Sequence, residues 1–169
     1  FCLDQAEGID ISKFQPASAP NAPIEQAEKV IQDWHDKPVI RFTGVQPCYI
    51  PSKDEIQCPP IENFISSEDY YSVIFHEMGH STGHQSRLAR EEVMKSNFFS
   101  ASSSYAIEEL VAELSASFIC SHIGIDQVIN NSASYIASWL KVLKDDRKML
   151  ITASARAEKS MNYILQGGK

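Results

Sequence analysis

The segment His76-Glu77-Met78-Gly79-His80 constrains this chain more than any other. Two histidines four positions apart share one face of a helix, so both rings can reach a single metal ion. Glu77 projects beside them, where a carboxylate can take a proton from water as that water attacks a carbonyl carbon. A pair used in this way needs a rigid seat. The preceding Tyr71-Ser72-Val73-Ile74-Phe75 is apolar enough to form a buried helix. Upstream, Ser66 and Ser67 precede Glu68 and Asp69, which reads as an N-cap followed by an acidic first turn. The pattern predicts a helix from there through His80, stopping at Gly83.

A catalytic zinc site needs a third protein ligand and an open position. The extended pattern H-E-x-x-H-x-x-G-x-x-H fails, because Gly83 fits but Ser86 stands where the last histidine would be, and His84 falls two residues early. The next helix, expected over about 104–121, is the better source. Its Glu109 and Glu113 are four apart and share a face. Flanked by Leu110, Val111, Ala112 and Leu114, they are costly to bury without partners. Zinc and its histidines would supply them. One glutamate would bind the ion and the other would accept a ring N–H. This arrangement resembles the thermolysin-like gluzincins. The resemblance implies Glu109 as the ligand and Glu113 as the support for a ligand histidine. Glu108 is the rival ligand, and otherwise reads as a solvated acid. Two imidazoles with a carboxylate suit zinc.

Two further residues are candidates. His84, just past the helix, is placed to orient substrate or stabilise an oxyanion, or else to bond a loop. Tyr105, one turn before Glu109, is placed to polarise a carbonyl. His35 and His122 read as structural or surface residues.

The 169 residues fit one domain, taken here as residues 1–169. Residues 1–22, with Pro16 and Pro20, read as a surface loop. A helix is expected from Pro23 to Asp36, with Ile24, Ala27, Val30, Ile31 and Trp34 as its apolar stripe. Val39 to Thr43 reads as a strand. Cys48 to Ile50 and Ile56 to Cys58 read as hairpin arms around a turn at 51–55, which sets Ile50 opposite Ile56 and Cys48 opposite Cys58. Ile136, Trp139, Leu140 and Leu143 mark another helix, and a last one is expected over about 147–165. A small sheet early and helices late make an α+β layout.

The net charge of −7 disfavours phosphate-backbone binding by this domain alone. Arg87, Arg90 and Lys95 cluster in sequence and read as a solvated face. The four cysteines contain no C-x-x-C pair and are too few for a disulfide scaffold, so they read as reduced thiols in a cytoplasmic protein. No run of 18 apolar residues occurs, and no membrane partner is expected. The chain begins with Phe1, so a preceding segment is expected.

Several strings together resemble the C-terminal domain of ArdC-type antirestriction proteins. They are Tyr70-Tyr71 with His76-Glu77-x-x-His80-x-Thr82-Gly83-His84-x-x-Arg87-Leu88-x-Arg90, then Tyr105-Ala106-x-Glu108-Glu109-Leu110-Val111-Ala112-Glu113, then Ser138 to Asp146, and the opening Asp4-Gln5-x-Glu7-Gly8. The resemblance implies a zincin-like fold and carriage on mobile elements. It also implies an N-terminal single-stranded-DNA-binding domain outside this chain, and a role in protecting incoming DNA from restriction. Three functions are then in view. One is a zinc peptidase acting on a protein or peptide. Another is a non-proteolytic, zinc-stabilised module that protects DNA or binds a partner. The last is a narrow regulatory protease.

Overall fold

The computed structural model describes residues 21–94, 103–125 and 147–168. In chain order the elements are α1 (Glu25–Asp33), β1 (Val39–Phe42), β2 (Cys48–Ile50), β3 (Glu55–Cys58), a 3-10 turn (Ile61–Asn63), α2 (Ser67–Ser81), α3 (Glu91–Met94), α4 (Ser103–His122) and α5 (Arg147–Leu165). The expected α+β layout is borne out. The helix expected around Ile136–Leu143 and the loop expected over residues 1–20 lie outside the described residues, as does Lys95.

The sheet order is β1-β3-β2, with β1 parallel and β2 antiparallel to the central β3. The hairpin register differs from the expected one by a residue. Tyr49 faces Ile56, Ile50 faces Glu55, and Cys48 faces Gln57 rather than Cys58. The cause is the turn, which is four residues long and not five. Asp54 closes it with φ +48°, a conformation aspartate tolerates. Glu55 is thereby freed to join the strand, and Tyr49 and Ile56 both enter the core.

Helix α1 is shorter than expected. It ends where Trp34 turns to extended backbone and buries its indole completely. In contrast, α2 begins where the sequence indicates. Ser66 is extended, and its hydroxyl accepts the Asp69 amide at 3.1 Å, satisfying one of the free N–H groups of the first turn. Tyr71, Ile74, Phe75 and Met78 then form a fully buried stripe. Tyr71 also donates its hydroxyl to Glu28 at 2.6 Å, tying α1 to α2.

Helix α4 lies between α2 and α5. Its Ala106, Leu110 and Val111 pack with Met149 and Ala153 of α5, while Ala116, Ile119 and Cys120 join the main core. At the crossing with α2, Gly79 replaces a side chain with close backbone approach. A Cβ there would lie 3.1 Å from Ala112 Cα and 3.2 Å from its carbonyl oxygen. Alanine is the better helix former by about 1 kcal/mol, but overpacking costs about 1–3 kcal/mol, and backbone atoms cannot rotate aside. Gly79→Ala is therefore expected to lower stability by about 1 kcal/mol, read as a fall in the denaturant midpoint. A gain in stability would show that the two helices separate without cost.

Candidate metal centre

Helix α2 presents His76 and His80 toward α4, which presents Glu109 between them. His76 Nε2 and His80 Nε2 are 3.1 Å apart. Glu109 lies 3.6 Å from the first ring and 3.4 Å from the second. Ligands about 2.1 Å from a tetrahedral ion are themselves about 3.4 Å apart. The donor set therefore has the size of a divalent-metal site, and the same three residues satisfy that geometry as a group.

The outer faces of the two rings set their chemistry. His76 Nδ1 is 3.1 Å from Glu113 Oε2, and His80 Nδ1 is 3.2 Å from Glu108 Oε1. Carboxylates accept, so each Nδ1 carries the proton and each Nε2 offers a lone pair. Two lone pairs 3.1 Å apart beside a carboxylate repel unless a cation joins them. The proton affinities show the same demand for positive charge. Burial pulls the His80 pKa down, but hydrogen bonds to Glu108 and Glu109 override it and hold the value at about 10. His76 is raised for the same reason by Glu109 and Glu113. Glu109 is held well below the usual carboxylate range by both rings, against its own burial.

Glu77 is 8% exposed and lines an open cleft of about 560 Å³ together with His76, Glu109 and Glu113. The rest of the cleft is Pro47, Asn63, Phe64, Ile65, Asp69, Ser72 and Val73. The sequence-derived residues thus separate into groups. His76, Glu77, His80, Glu109 and Glu113 are brought together. His84 is not among the cleft residues, and its Nδ1 sits 2.8 Å from Ser86 Oγ. Tyr105 belongs to the first turn of α4, and its side chain lies outside the described residues. His35 and His122 are exposed, as expected.

Two readings need correction. Glu108 is not solvated, being 4% exposed and aimed at His80 Nδ1, and the group of close donors holds Glu109 in its place. Its carboxylate stays ionised because Arg90 and His80 hydrogen bonds outweigh burial. Arg87 and Arg90 are not a solvated face either, with side chains only 2% and 6% exposed. Arg90 grips Glu108 with two bonds of 2.7 and 2.8 Å. Arg87 pairs with Asp54 through two bonds of 2.8 Å and lies over the Trp34 ring. One sequence signal for this was the length of apolar residues around α4, which leaves its acidic residues little open face.

A buried H-E-x-x-H helix, a glutamate from a later helix and a small mixed sheet are features of a zincin-like domain. The chain belongs to the zincin-like metallopeptidase family, whose pattern matches residues 25–156. The resemblance to ArdC-type proteins is borne out by solved structures. The Mn(II)-bound antirestriction protein ArdC of plasmid R388 superposes with a TM-score of 0.71 at 33% identity, over 90% of this chain and 56% of that one. Its metal-free structure gives 0.67 at 31%, over 99% and 59%. By sequence, the chain is 36% identical over 165 residues to the DNA primase TraC of Escherichia coli, covering 98% of this chain and 11% of that protein. It is also 36% identical over 126 residues to the uncharacterised protein y4eC of Sinorhizobium fredii, covering 74% and 40%. The chain thus spans well under two thirds of each of these relatives.

Proposed function

We propose that this chain is a zinc-dependent peptidase domain of an antirestriction-type protein, hydrolysing peptide bonds of a protein or peptide laid in the cleft. The observation that carries this reading is the convergence of His76, His80 and Glu109 at 3.1–3.6 Å beside Glu77. Those three residues would hold the ion, with Glu113 and Glu108 orienting the rings. When bound, the ion supplies Lewis acidity, acidifying a water and polarising a carbonyl. Glu77 takes the proton from the attacking water and delivers it to the departing amine nitrogen. A site that only braces the fold has no use for a carboxylate at that position.

The cleft supports a peptide substrate. Pro47 lies on its wall and leads into β2, an edge strand among the described residues, which can pair with an extended chain. Phe64, Ile65 and Val73 offer apolar contact, and Ile65 is 86% exposed. Zinc is favoured by two imidazoles with one carboxylate, and manganese is the ion named for the plasmid relative. In this reading the antirestriction role belongs to a longer protein. Single-stranded DNA is held outside these 169 residues, which agrees with the charge of −7. The reading is of a cytoplasmic protein, in keeping with free thiols at Cys48, Cys58 and Cys120. Among the described residues no helix is long and apolar enough to cross a membrane.

The test is cleavage of a denatured protein mixture by the chain loaded with zinc, then stripped by a chelator, then reloaded. Cleavage that stops on stripping and returns on reloading is expected. Stoichiometric metal with no cleavage, under zinc or manganese, would reject the peptidase reading in favour of a metal-stabilised, non-proteolytic module.

A further inference from the structure

Arg90 stands outside the cleft, yet it holds His80 from two directions. Through its guanidinium fork it fixes Glu108, with Nη2 on Oε1 at 2.7 Å and Nε on Oε2 at 2.8 Å. The same Glu108 Oε1 faces His80 Nδ1 at 3.2 Å. Arg90 Nη2 also donates to the Gly79 carbonyl at 2.8 Å and reaches the His80 carbonyl at 3.5 Å. It thus caps the last turn of α2 while aiming the ring of a residue in that turn. Nη1 completes the grip on Thr82 Oγ1 at 2.7 Å and on Ser160 Oγ of α5 at 3.0 Å.

The two histidines are therefore supported differently. The partner of His76, Glu113, lies on the cleft wall. The partner of His80 is sealed, since the side chains of Glu108 and Arg90 are each 6% exposed. A rigid bidentate pair keeps a carboxylate in one orientation, which a lysine cannot do. The approach of Arg90 in turn depends on Gly83, where a Cβ would fall 2.4 Å from Val93 Cγ2 and 3.0 Å from the Arg90 guanidinium carbon.

We infer that Arg90 is a positioning residue for the metal site, acting through Glu108 to fix the tautomer and direction of the His80 ring. The inference rests on the reading of His76, His80 and Glu109 as a metal cluster, and not on peptide hydrolysis. Loss of a carboxylate that orients a ligand histidine weakens metal binding by about 10- to 100-fold.

The experiment measures zinc affinity of the whole chain by competition with a chromophoric chelator. The variants are Glu108→Gln, Arg90→Lys and the pair combined. Tyr163→Phe, which removes a bond from α5 to Asp36 outside the Arg90 network, is the control. Nitrogen NMR of the histidine rings in the zinc-loaded protein reports which nitrogen of His80 carries the proton. The expected result is a loss of about 10- to 100-fold in each single variant, no greater loss in the pair, and an altered His80 ring signal. Tyr163→Phe is expected to lose stability with its zinc affinity kept. Folded variants that bind zinc as the parent does, or losses that simply add, would overturn the inference. Should Arg90→Lys not fold, Glu108→Gln decides it through the same affinity and ring signal. A parent that takes up no zinc overturns the cluster reading and this inference with it.

Discussion

Replacing Glu77 by glutamine is expected to lower the rate of peptide cleavage by about 100- to 10,000-fold, the usual contribution of a positioned general base. At about 1.4 kcal/mol per factor of ten this is about 3–5 kcal/mol of barrier. Glutamine keeps the shape of the side chain in a position only 8% exposed, but it cannot take a proton. The three metal donors are untouched, so zinc content and thermal midpoint are expected to match the parent. Initial rates at saturating substrate, with metal content measured on the same samples, check this. A variant that cleaves at the parental rate removes Glu77 from the mechanism. One that also loses its metal shows that Glu77 helps to hold the ion.

Asp54→Asn is expected to cost about 3 kcal/mol of stability at most, the lower end for breaking a buried ion pair, because only the Arg87 half is buried, its side chain being 2% exposed against 31% for Asp54. The lower end applies also because the Arg87 guanidinium keeps the carbonyls of Asp36 and Ser81 as acceptors, at 2.7 and 3.0 Å. Asparagine still accepts the left-handed backbone of the turn, so the change isolates the charge. What remains is a cation with a side chain 2% exposed, packed over Trp34 and missing its carboxylate. The pH dependence carries a second signature. Burial would raise the pKa of Asp54, but the Arg87 and Tyr49 hydrogen bonds outweigh it and hold the carboxyl below its ordinary 3.8. A depressed carboxyl stabilises the fold above its unfolded value, and that stability is lost as pH falls through the folded value. The parent should thus weaken as pH drops below 3.8, and Asp54→Asn should show less of that slope. Denaturant unfolding of both proteins across acid pH reads both effects. Equal stability at neutral pH would mean that water already screens Arg87.

How much of this was legible in the sequence depended on whether the determinant was local. The start of α2 was, because Ser66 caps it and acidic residues follow within one turn. So was α5, whose bounds at Arg147–Leu165 match the expected 147–165. The grouping of Glu109 and Glu113 on one face followed from helical spacing alone. The hairpin register was not legible, since it turns on whether Glu55 belongs to the turn or to the strand, and Arg41 and Gln57 settle that by bonding its carboxylate. Nor was the fate of Glu108. Its neighbour Glu109 differs from it by one step around the helix. Only the return of the chain from Gly83 to Arg90 decides which acid meets the ring from outside. That loop brings together residues 18 apart, and no period in the sequence encodes such a contact.

The bare hydrogen at Gly79 has one more effect. It lets α2 and α4 touch backbone to backbone, so the spacing of the histidines and Glu109 is set by peptide atoms rather than by side chains that can yield. A frame of fixed size would favour an ion of matching radius. Calcium holds its ligands at about 2.3–2.6 Å and asks for six to eight oxygens, more room and more donors than this cluster can give. A small divalent ion about 2.0–2.2 Å from its ligands, as zinc would be in the proposed reading, matches donors 3.1–3.6 Å apart. In the proposed reading, the one residue of the motif that has no side chain would thus help to keep a large ion such as calcium out of the site.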